Sequence, residues 1–401
     1  MIHFEVHPLA DFTNDERDIG DIAGSDGLLF VRNGEGFVGI GEAVRLPIDQ
    51  VPKWLNQSTV ATPTEFNDAG PIAMGWHPFS GSGGEAIVPR VTFGKNADKP
   101  AWVCFAKDCE DLVRGALRHH APVPSASAEF RITPGIPIDH YLGAVAAIRD
   151  AVRDGRVTKA VIARDIFVSS SGTIDIGTLL HRLKLSFGSS YRYSLDGLVG
   201  ASPELLVERC GESVASHPLA GTTSRTGDPD IDARLASELR SSKKNQVEHR
   251  VVIDMVHDTL LPWCSFLDWQ PEPEVIQIAN VQHLGTRVQG TLSQPYPHVL
   301  ELVKALSPTP ALGGHPRNEA LALIARHEGF DRGRYGGAVG WFDRHGNGAW
   351  AVAIRCAEFS SDRKTARLFA GGGIVADSDP QSELAETRAK FQAMLAAIVR
   401  P

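Results

Sequence analysis

The sequence is poor in the patterns that mark disulfide-rich, zinc-binding and membrane-spanning proteins. Its five cysteines are an odd number and form no CxxC pair, which favours reduced thiols over a disulfide framework. His327 is followed by Glu328 but not by a second histidine three residues further on, so the HExxH zinc motif is absent. No run of 18 apolar residues occurs, and we therefore expect no transmembrane helix.

Two further absences concern targeting and charge. Residues 1–10 contain no basic stretch followed by an apolar run, so we expect no secretory signal and a cytoplasmic location. An excess of basic residues is also missing, because the formal net charge is -8 and the pI is near 6.0. Nucleic acids and anionic membranes attract basic surfaces, so we expect neither as a partner. A small anionic substrate is compatible with this charge if lysines, arginines or a bound cation gather locally.

What the sequence does contain is an ordinary globular composition, with 42% hydrophobic and 22% charged residues. Residues 1–128 are irregular and strand-rich, with a hairpin signal at residues 27–40. A connector rich in Pro, Ser and Ala at residues 121–128 leads into a more regular part, residues 129–401. We predict a single domain over residues 1–401 with a variable N-terminal part. Long strands mixed with helices favour an α+β fold over a doubly wound sheet.

The spacing of apolar residues predicts the main elements after the connector. The predicted helices cover residues 139–153, 176–187, 230–260 with a break near Ser241–Ser242, 297–306, 316–327 and 380–399. The predicted strands include residues 160–168, 191–195, 205–208, 337–341, 350–356 and 366–369. We expect Asp139 to cap the first of these helices and Ser378 or Asp379 to cap the last.

The last predicted helix carries charged residues at a spacing that suggests a metal site. Glu383, Glu386 and Lys390 stand at positions i, i+3 and i+7, beside the apolar face of the helix. Neighbouring carboxylates repel each other unless a cation lies between them, and oxygen ligands of this kind suit Mg²⁺. A solvated helix face with one Glu–Lys pair is the alternative. In an earlier helix, Glu248 and Asn245 share a face that could form the opposite wall, with a surface salt bridge as the alternative.

Two features upstream of that helix suggest an anionic ligand. Gly371, Gly372 and Gly373 stand between a predicted strand and a helix N-terminus, where exposed N–H groups suit a carboxylate or phosphate. A tight turn is the alternative. Arg355 lies in an otherwise apolar predicted strand, and a buried guanidinium requires a partner. That partner is either a ligand carboxylate, which a guanidinium binds in a fork, or an internal Asp or Glu.

Several segments, read together, resemble the chorismate-utilising enzymes, which include isochorismate synthase, salicylate synthase and the synthase subunits for anthranilate and aminodeoxychorismate. The segments occur in the order ASPELL (201–206), PLAGT (218–222), VEH (247–249), VQHLG (281–285), PTPALGGHP (308–316), FDRGRYGG (330–337), IRC (354–356), AGGGI (370–374) and ELAETRAK (383–390). The resemblance begins near residue 140 and implies one α+β unit with two large antiparallel sheets packed face to face, helices outside and a site in a cleft.

The resemblance also implies a role for individual residues. Glu248 and Glu386 correspond to Mg²⁺ ligands, with Glu383 supporting through water, and the metal would hold the ring carboxylate of chorismate. Arg355 and Tyr335 correspond to the pair that grips the enolpyruvyl carboxylate. The implied binding set is completed by Gly221, Thr222, His283, Ala311, Leu312, Gly371, Gly372, Gly373 and Lys390. Asn245 stands where relatives often have an acidic residue, so the resemblance does not imply a second outer carboxylate on that helix.

Two further residues, one in VTKAV (157–161) and one in ASPELL, resemble the groups that select the reaction. Lys159 corresponds to the general base of the relatives that use water, and a base requires a neutral amine, which burial or a nearby cation favours. Glu204 corresponds to the acid that protonates the departing C4 hydroxyl, and an apolar surrounding would keep it protonated. Together they imply water addition at C2 with loss of the C4 hydroxyl, which is the isochorismate synthase reaction. Ala311 favours this branch, because relatives that eliminate pyruvate or use an amine usually carry Thr there.

The alternatives are a salicylate synthase, an amine-using synthase and a non-catalytic chorismate-binding protein. Water as the nucleophile implies that no glutaminase partner is needed, and relatives with this activity are often monomeric, so we expect a monomer. The product would serve menaquinone, siderophore or salicylate biosynthesis, and the sequence does not choose among them.

Overall fold

The strands and helices are taken from a computed structural model, which describes residues 2–15, 18–97, 99–118, 128–278 and 281–399. These ranges contain 25 strands and nine α-helices. The strands are β1 (His3–Pro8), β2 (Leu28–Arg32), β3 (Glu35–Ile40), β4 (Val44–Pro47), β5 (Thr59–Ala61), β6 (Ile72–His77), β7 (Glu85–Val88), β8 (Val91–Lys95), β9 (Trp102–Ala106), β10 (Phe130–Pro134), β11 (Lys159–Ser170), β12 (Tyr191–Leu195), β13 (Leu198–Ser202), β14 (Leu205–Cys210), β15 (Ser213–His217), β16 (Leu219–Ser224), β17 (Cys264–Trp269), β18 (Glu274–Ile278), β19 (Val281–Gly285), β20 (Val288–Leu292), β21 (Gly314–His315), β22 (Ala338–Asp343), β23 (Gly348–Val352), β24 (Cys356–Phe359) and β25 (Thr365–Ile374). The helices are α1 (Val51–Gln57), α2 (Glu110–Leu117), α3 (Ile138–Arg153), α4 (Ile176–Phe187), α5 (Pro229–Ser241), α6 (Lys243–Leu260), α7 (Val299–Leu306), α8 (Arg317–His327) and α9 (Pro380–Val399).

Most strands belong to two large sheets, which are antiparallel apart from the β1–β5 pair. The first sheet has thirteen strands in the order β10-β11-β25-β24-β13-β12-β2-β3-β8-β9-β1-β5, with β21 paired to β11. The second sheet has nine strands in the order β17-β20-β15-β14-β23-β22-β6-β7-β4. A small three-stranded sheet, in the order β16-β19-β18, was not expected from the sequence.

The two large sheets pack against each other through one apolar core. Phe93 of the first sheet and Trp350 of the second are fully buried in it. The rings of Phe37 on β3 and Trp341 on β22 meet across the interface with their centroids 4.4 Å apart. The predicted α+β fold with two antiparallel sheets is therefore confirmed. The described helices include none with both the length and the apolar composition for a membrane crossing.

Two chain segments pass from the first sheet to the second while staying paired with each other. β13 pairs with β24 in the first sheet, and β14 pairs with β23 in the second. The crossovers between them carry Glu204 and Arg355. At this point the Ala201 N–H donates to the Arg355 carbonyl, and the Val352 N–H donates to the Glu204 carbonyl, both at 3.1 Å. We call this point, where the paired segments leave one sheet for the other, the fork.

Strands from the N-terminal part extend both large sheets. β2 pairs with β12 in the first sheet, and β6 pairs with β22 in the second. The N-terminal strands therefore cover edges that would otherwise be exposed. The division into residues 1–128 and 129–401 stays a prediction, and most of the expected connector lies outside the described residues.

The helix predictions agree closely with the structure, apart from one cap. α4 and α9 begin and end at the predicted residues. Ser242 separates α5 from α6 and caps α6 by accepting from the Asn245 N–H. Asp379 caps α9, because its carboxylate accepts from the Ser382 N–H at 2.8 Å. The Asp139 cap was wrong: α3 begins at Ile138, one residue before Asp139.

Two predicted strands differ from the structure in ways that bear on the site. The strand over residues 350–356 is broken between β23 and β24, because Arg355 adopts a left-handed backbone with φ of 53°. The strand over residues 366–369 continues to Ile374, so the three glycines lie inside β25 and pair with β11. The expectation that they stand between a strand and a helix N-terminus was therefore wrong, and so was the alternative of a tight turn.

Candidate active site

The fork opens into a cavity of about 220 Å³. All the site residues predicted from the sequence line it, namely Lys159, Glu204, Gly221, Thr222, Glu248, His283, Ala311, Leu312, Tyr335, Arg355, Gly371, Gly372, Gly373, Glu383, Glu386 and Lys390. They come from β11, both crossovers, the small sheet, α6, β25, α9 and two connecting loops. Their individual roles stay predictions. Their convergence on one enclosed space makes this cavity the candidate active site.

Lys159, at the start of β11, faces Glu248 on α6. The Lys159 Nζ donates to the Glu248 Oε1 at 2.7 Å, and the two side chains are only 3% and 13% exposed. Burial alone would raise the pKa of Glu248, but the charge of Lys159, supported by Lys390 and Lys244, brings that pKa below its usual value. Glu248 is therefore ionised and bonded to Lys159. A base role for Lys159 requires this ion pair to open.

The acidic residues of α9 lie side by side, as their spacing predicted. Glu386 Oε1 is 2.6 Å from Lys390 Nζ, which also donates to the Gly371 carbonyl at 2.7 Å. Glu383 accepts a hydrogen bond from the Ser378 hydroxyl at 2.8 Å. Burial and the neighbouring charge of Glu386 raise the pKa of Glu383. The contacts with Lys390 and Ser378 therefore offset only part of the repulsion between the two glutamates.

The glycines of β25 leave room for these charged groups. A Cβ added to Gly372 would lie 2.6 Å from Glu383 Oε2. A Cβ added to Gly373 would lie 2.4 Å from the Cε of Lys159. The Gly371 carbonyl points away from β11 toward Lys390, and the N–H of the same residue points to the same side of the strand. The glycines thus allow charged side chains to approach the strand and turn backbone groups toward the cavity.

His283, on β19, is fixed in one tautomer by its neighbours. Its Nδ1 lies 3.2 Å from the Gly221 carbonyl and 3.1 Å from the Thr222 hydroxyl. Because a carbonyl can only accept, we assign the proton to Nδ1, and Nε2 then accepts from Arg355 Nη2 at 3.0 Å. Burial and the charge of Arg355 lower the pKa of His283 well below its usual value, so the ring is neutral.

Arg355 is a buried cation that has no ionic partner among the described residues. Its side chain is bonded to His283 on one side, while Nη1 is buried and makes no hydrogen bond. Within the described ranges, no carboxylate lies within ion-pair distance of the guanidinium. The internal acid that the sequence left open is therefore not found there. Since an unpaired buried charge is costly, this guanidinium is suited to bind an anion that enters the cavity.

Glu204, on the other crossover, is protonated at neutral pH. Its side chain is 2% exposed, and burial raises its pKa to about 8 against the opposing effects of the Leu219 N–H and the Lys159 charge. Its Oε1 is buried without a hydrogen-bond partner. A neutral carboxyl that faces a cavity can donate a proton to a leaving group.

The cavity also contains residues that sequence reasoning did not assign. Lys244 on α6 adds a positive charge, and its i, i+4 spacing from Glu248 was the signal that could have found it. The Tyr335 ring stacks on Phe369 with centroids 5.0 Å apart and planes 10° apart. The remaining unassigned residues are Val161, Pro203, Leu219, Ala220, Ile354 and Ala370. They are apolar or backbone-only contacts, which a sequence cannot distinguish from core.

A second cavity of about 480 Å³ is a weaker candidate. Its two arginines are already neutralised, because Arg45 pairs with Asp196 at 3.0 Å and Arg363 pairs with Asp26. It therefore lacks the unpaired buried charge that distinguishes the cavity at the fork.

The geometry defines a class of protein before any comparison is made. Arg355 and the lysines place positive charge around the cavity, and the neutral carboxyl of Glu204 faces the same space. A cavity of this size suits a small molecule. These features fit an enzyme that acts on a small anionic molecule.

Comparison with known proteins identifies the family. The family model described as chorismate binding enzyme matches residues 88–399. The isochorismate synthase DhbC of Bacillus subtilis is 40% identical over 291 residues, which cover 70% of this chain and 73% of that protein. The isochorismate synthase MenF of the same organism is 33% identical over 338 residues, covering 80% and 71%.

A solved structure supports the same fold. The menaquinone-specific isochorismate synthase MenF of Escherichia coli superposes with a TM-score of 0.86, covering 100% of this chain and 95% of that one. Its 23% identity makes this a likeness of fold alone. With the family model and the Bacillus relatives, the chain belongs to the chorismate binding enzyme family, and the resemblance seen in the sequence is confirmed.

The pKa of Glu204 can be measured without any substrate. In protein labelled with ¹³C at glutamate carboxyls, we expect one NMR signal to be absent from E204Q and to titrate near pH 8 in the wild type, because burial disfavours the ionised form. If the signal lost in E204Q titrates in the ordinary glutamate range instead, Glu204 is not a proton donor at neutral pH.

Proposed function

We propose that this chain is an isochorismate synthase, which converts chorismate to isochorismate by adding water at C2 and releasing the C4 hydroxyl. The observation that carries the proposal is the buried, unpaired guanidinium of Arg355, which faces the same cavity as the protonated Glu204. The names of the relatives that share most of the chain's length support the same reaction. Water as the nucleophile also supports a protein that works without a glutaminase partner.

The charges of the cavity match a substrate with two carboxylates. Arg355, with the Tyr335 hydroxyl, would bind the enolpyruvyl carboxylate. Lys390, with the backbone of Gly221 and Thr222, would border the ring carboxylate. The four cationic side chains that line the cavity are Lys159, Lys244, Lys390 and Arg355. Three carboxylates oppose them once Glu204 is neutral, namely Glu248, Glu383 and Glu386.

The proposed acid and base roles of Glu204 and Lys159 follow from the proton transfers that the reaction requires. In the proposed reaction the new C2–O bond forms as the C4–O bond breaks and the ring double bond shifts, so no oxidant or reductant is required. Glu204 gives its proton to the departing C4 hydroxyl, which leaves as water. To act as the base, Lys159 must separate from Glu248 and lose its ammonium proton to solvent, after which the neutral amine takes a proton from the attacking water. At the end of the reaction Glu204 is a carboxylate and Lys159 an ammonium, and the cycle closes when Glu204 gains a proton and Lys159 loses one.

We further propose that the site uses Mg²⁺. Among the residues that the structure describes, no three acidic, histidine or cysteine side chains form a ready-made cage. Mg²⁺ commonly takes only one or two protein carboxylates and completes its shell with water and substrate oxygens, so Glu248 and Glu386 fit, with Glu383 acting through water. Burial and the charge of Glu386 both raise the pKa of Glu383, so a cation beside the two carboxylates would relieve their repulsion. When bound, Mg²⁺ would supply the charge that holds the ring carboxylate.

The proposal is tested by incubating the purified protein with chorismate, with and without Mg²⁺, and separating the products. Isochorismate that forms only with Mg²⁺, without pyruvate, is the expected result. Salicylate with an equal amount of pyruvate would assign the chain to the salicylate synthases. Binding of chorismate without turnover would leave a non-catalytic binding protein.

Glu386→Gln tests the metal assignment. We expect this change to lower Mg²⁺-dependent turnover at least about 100-fold, because the amide cannot replace a charged ligand. Calorimetric Mg²⁺ titration should show weaker binding in the same variant.

The matched control for that experiment is Glu110→Gln. Glu110 and Arg114 on α2 form an i, i+4 pair at 2.6 Å, the same distance as in the Glu386–Lys390 pair, but outside the cavity. Its turnover should stay within about two-fold of wild type, as surface pairs contribute little. Equal turnover in wild type and both variants would contradict the metal assignment.

Ala311→Thr tests why the reaction stops at isochorismate. Ala311 lines the cavity, and a threonine would add a methyl and a hydroxyl group there. We expect some pyruvate release from the variant, measured by a coupled lactate dehydrogenase assay. Ala311→Val has nearly the same shape without the hydroxyl, so pyruvate from Thr but not Val would assign the effect to the hydroxyl. A product profile identical to wild type in both variants would remove Ala311 as a determinant of the branch.

A further inference from the structure

On the side of β11 that faces away from β25, a short stretch is not paired with any of the described strands, and we call this stretch the gap. At one end of β11, residues 159 and 160 pair with β21, and at the other end residues 166–170 pair with β10. Between these pairs lie backbone groups that point away from β25. Buried groups of this kind require partners, because water cannot reach them.

Side chains fill this gap in place of a strand. Glu328, just after α8, accepts from the Ala163 N–H at 2.8 Å. Arg332, four residues later, donates to the Val161 carbonyl at 2.9 Å. The two side chains form a bidentate ion pair, with Arg332 Nε at 2.6 Å from Glu328 Oε1 and Nη2 at 2.5 Å from Oε2. Both are at most 2% exposed.

Arg332 is also hydrogen-bonded to two other parts of the chain that line the cavity. Arg332 Nη1 donates to the Leu312 carbonyl at 2.8 Å, and the Arg332 carbonyl accepts from the Tyr335 N–H at 2.9 Å. Val161, Leu312 and Tyr335 all line the cavity, whereas Glu328 and Arg332 do not. The side chains of this buried ion pair are therefore bonded to the backbone of two cavity-lining residues that lie far apart in the sequence, Val161 and Leu312. The third, Tyr335, is held by the Arg332 backbone and by its ring, whose centroid lies 5.9 Å from the Arg332 guanidinium.

We propose that the Glu328–Arg332 pair is a positioning device for substrate binding: it holds the wall formed by Val161, Leu312 and Tyr335 without touching the substrate. The inference rests on the proposed function, since that wall would contact chorismate. Val161 is two residues from Lys159 on β11, and Leu312 follows Ala311, so displacement of the wall also shifts residues proposed to act on the ring. Displacements of about 1 Å in a catalytic site can cost about 100-fold in rate.

The test must separate positioning from simple loss of folding. Removing one partner would leave a buried charge, whereas replacing both partners of a buried ion pair with apolar residues is often neutral for stability. We therefore choose the double variant E328M/R332M. It keeps bulk in the gap and removes the hydrogen bonds to Val161, Ala163 and Leu312.

The same loop offers a matched control, R334M/E358M. Arg334 also pairs with a glutamate, Glu358, at 2.9 Å and also donates to carbonyls, those of Leu195 and Asp196. None of these residues lines the cavity at the fork. The two double variants therefore remove the same kinds of bond, and only one of them removes bonds to the wall.

We expect E328M/R332M to fold but to melt below wild type, because the backbone groups of Val161, Ala163 and Leu312 lose buried partners. We also expect it to lose about 10- to 100-fold in kcat/KM for chorismate, mainly through a higher KM. Partial unfolding would instead lower kcat through the active fraction and leave KM unchanged. R334M/E358M should keep kcat/KM within about two-fold of wild type. A folded E328M/R332M with wild-type KM, or an equal loss in the control, would overturn the proposal.

Two further measurements keep the outcome decisive. If E328M/R332M does not fold, R332K is measured instead. A lysine retains the charge but cannot form a bidentate pair with Glu328 and also reach both carbonyls. A wild-type KM in R332K would therefore overturn the proposal. If the wild type does not convert chorismate, the proposed function fails by itself. Hydrogen exchange of the Val161 and Gly313 amides, which donate to the Gly313 and Thr309 carbonyls and not to Glu328, then decides: faster exchange in E328M/R332M than in R334M/E358M supports positioning, and equal exchange overturns it.

Discussion

The pairing of two chain segments across both sheets is the constraint on which the site depends. β13 and β14 form one continuous run with the crossover at Glu204, and β23 and β24 form the other with the crossover at Arg355. Because the runs stay hydrogen-bonded where they change sheet, the sheets must part at that point. The left-handed backbone of Arg355 makes the turn that this change requires. The other residues of the cavity are brought to this opening by the strands and helices that surround it.

Burial then determines how each charged group of the cavity behaves. The exclusion of water keeps a proton on Glu204, and it makes the charge of Arg355, which has no ionic partner among the described residues, costly to leave unpaired. Lysines lie beside two of the carboxylates, Lys159 beside Glu248 and Lys390 beside Glu386. The site is therefore a set of charges held largely in pairs. A substrate with two carboxylates offers replacements for the acidic partners, which explains how binding and the release of Lys159 could be linked.

Local patterns in the sequence were enough to predict the helices, because helical periodicity is set by neighbours three and four residues apart. α9 and its three charged residues were found in this way, and all the predicted site residues reached one cavity. The sheets were harder, because membership depends on pairing with distant segments. The apolar run around Arg355 gave no sign that β23 and β24 belong to different sheets. The Glu328–Arg332 pair was missed for the same reason, since its partners on β11 and near Leu312 are remote in sequence.

The fork also fixes the separation between Glu204 and Arg355. Glu204 and Arg355 lie on neighbouring backbones joined by hydrogen bonds on both sides of the crossovers, so neither can shift along its strand without breaking a ladder. A molecule whose carboxylate is held at Arg355 presents to Glu204 only the atom that lies at a set distance from that carboxylate. Under the proposed function, a compound with the same functional groups on a longer or shorter spacer would bind at Arg355 and place the wrong oxygen at the Glu204 carboxyl.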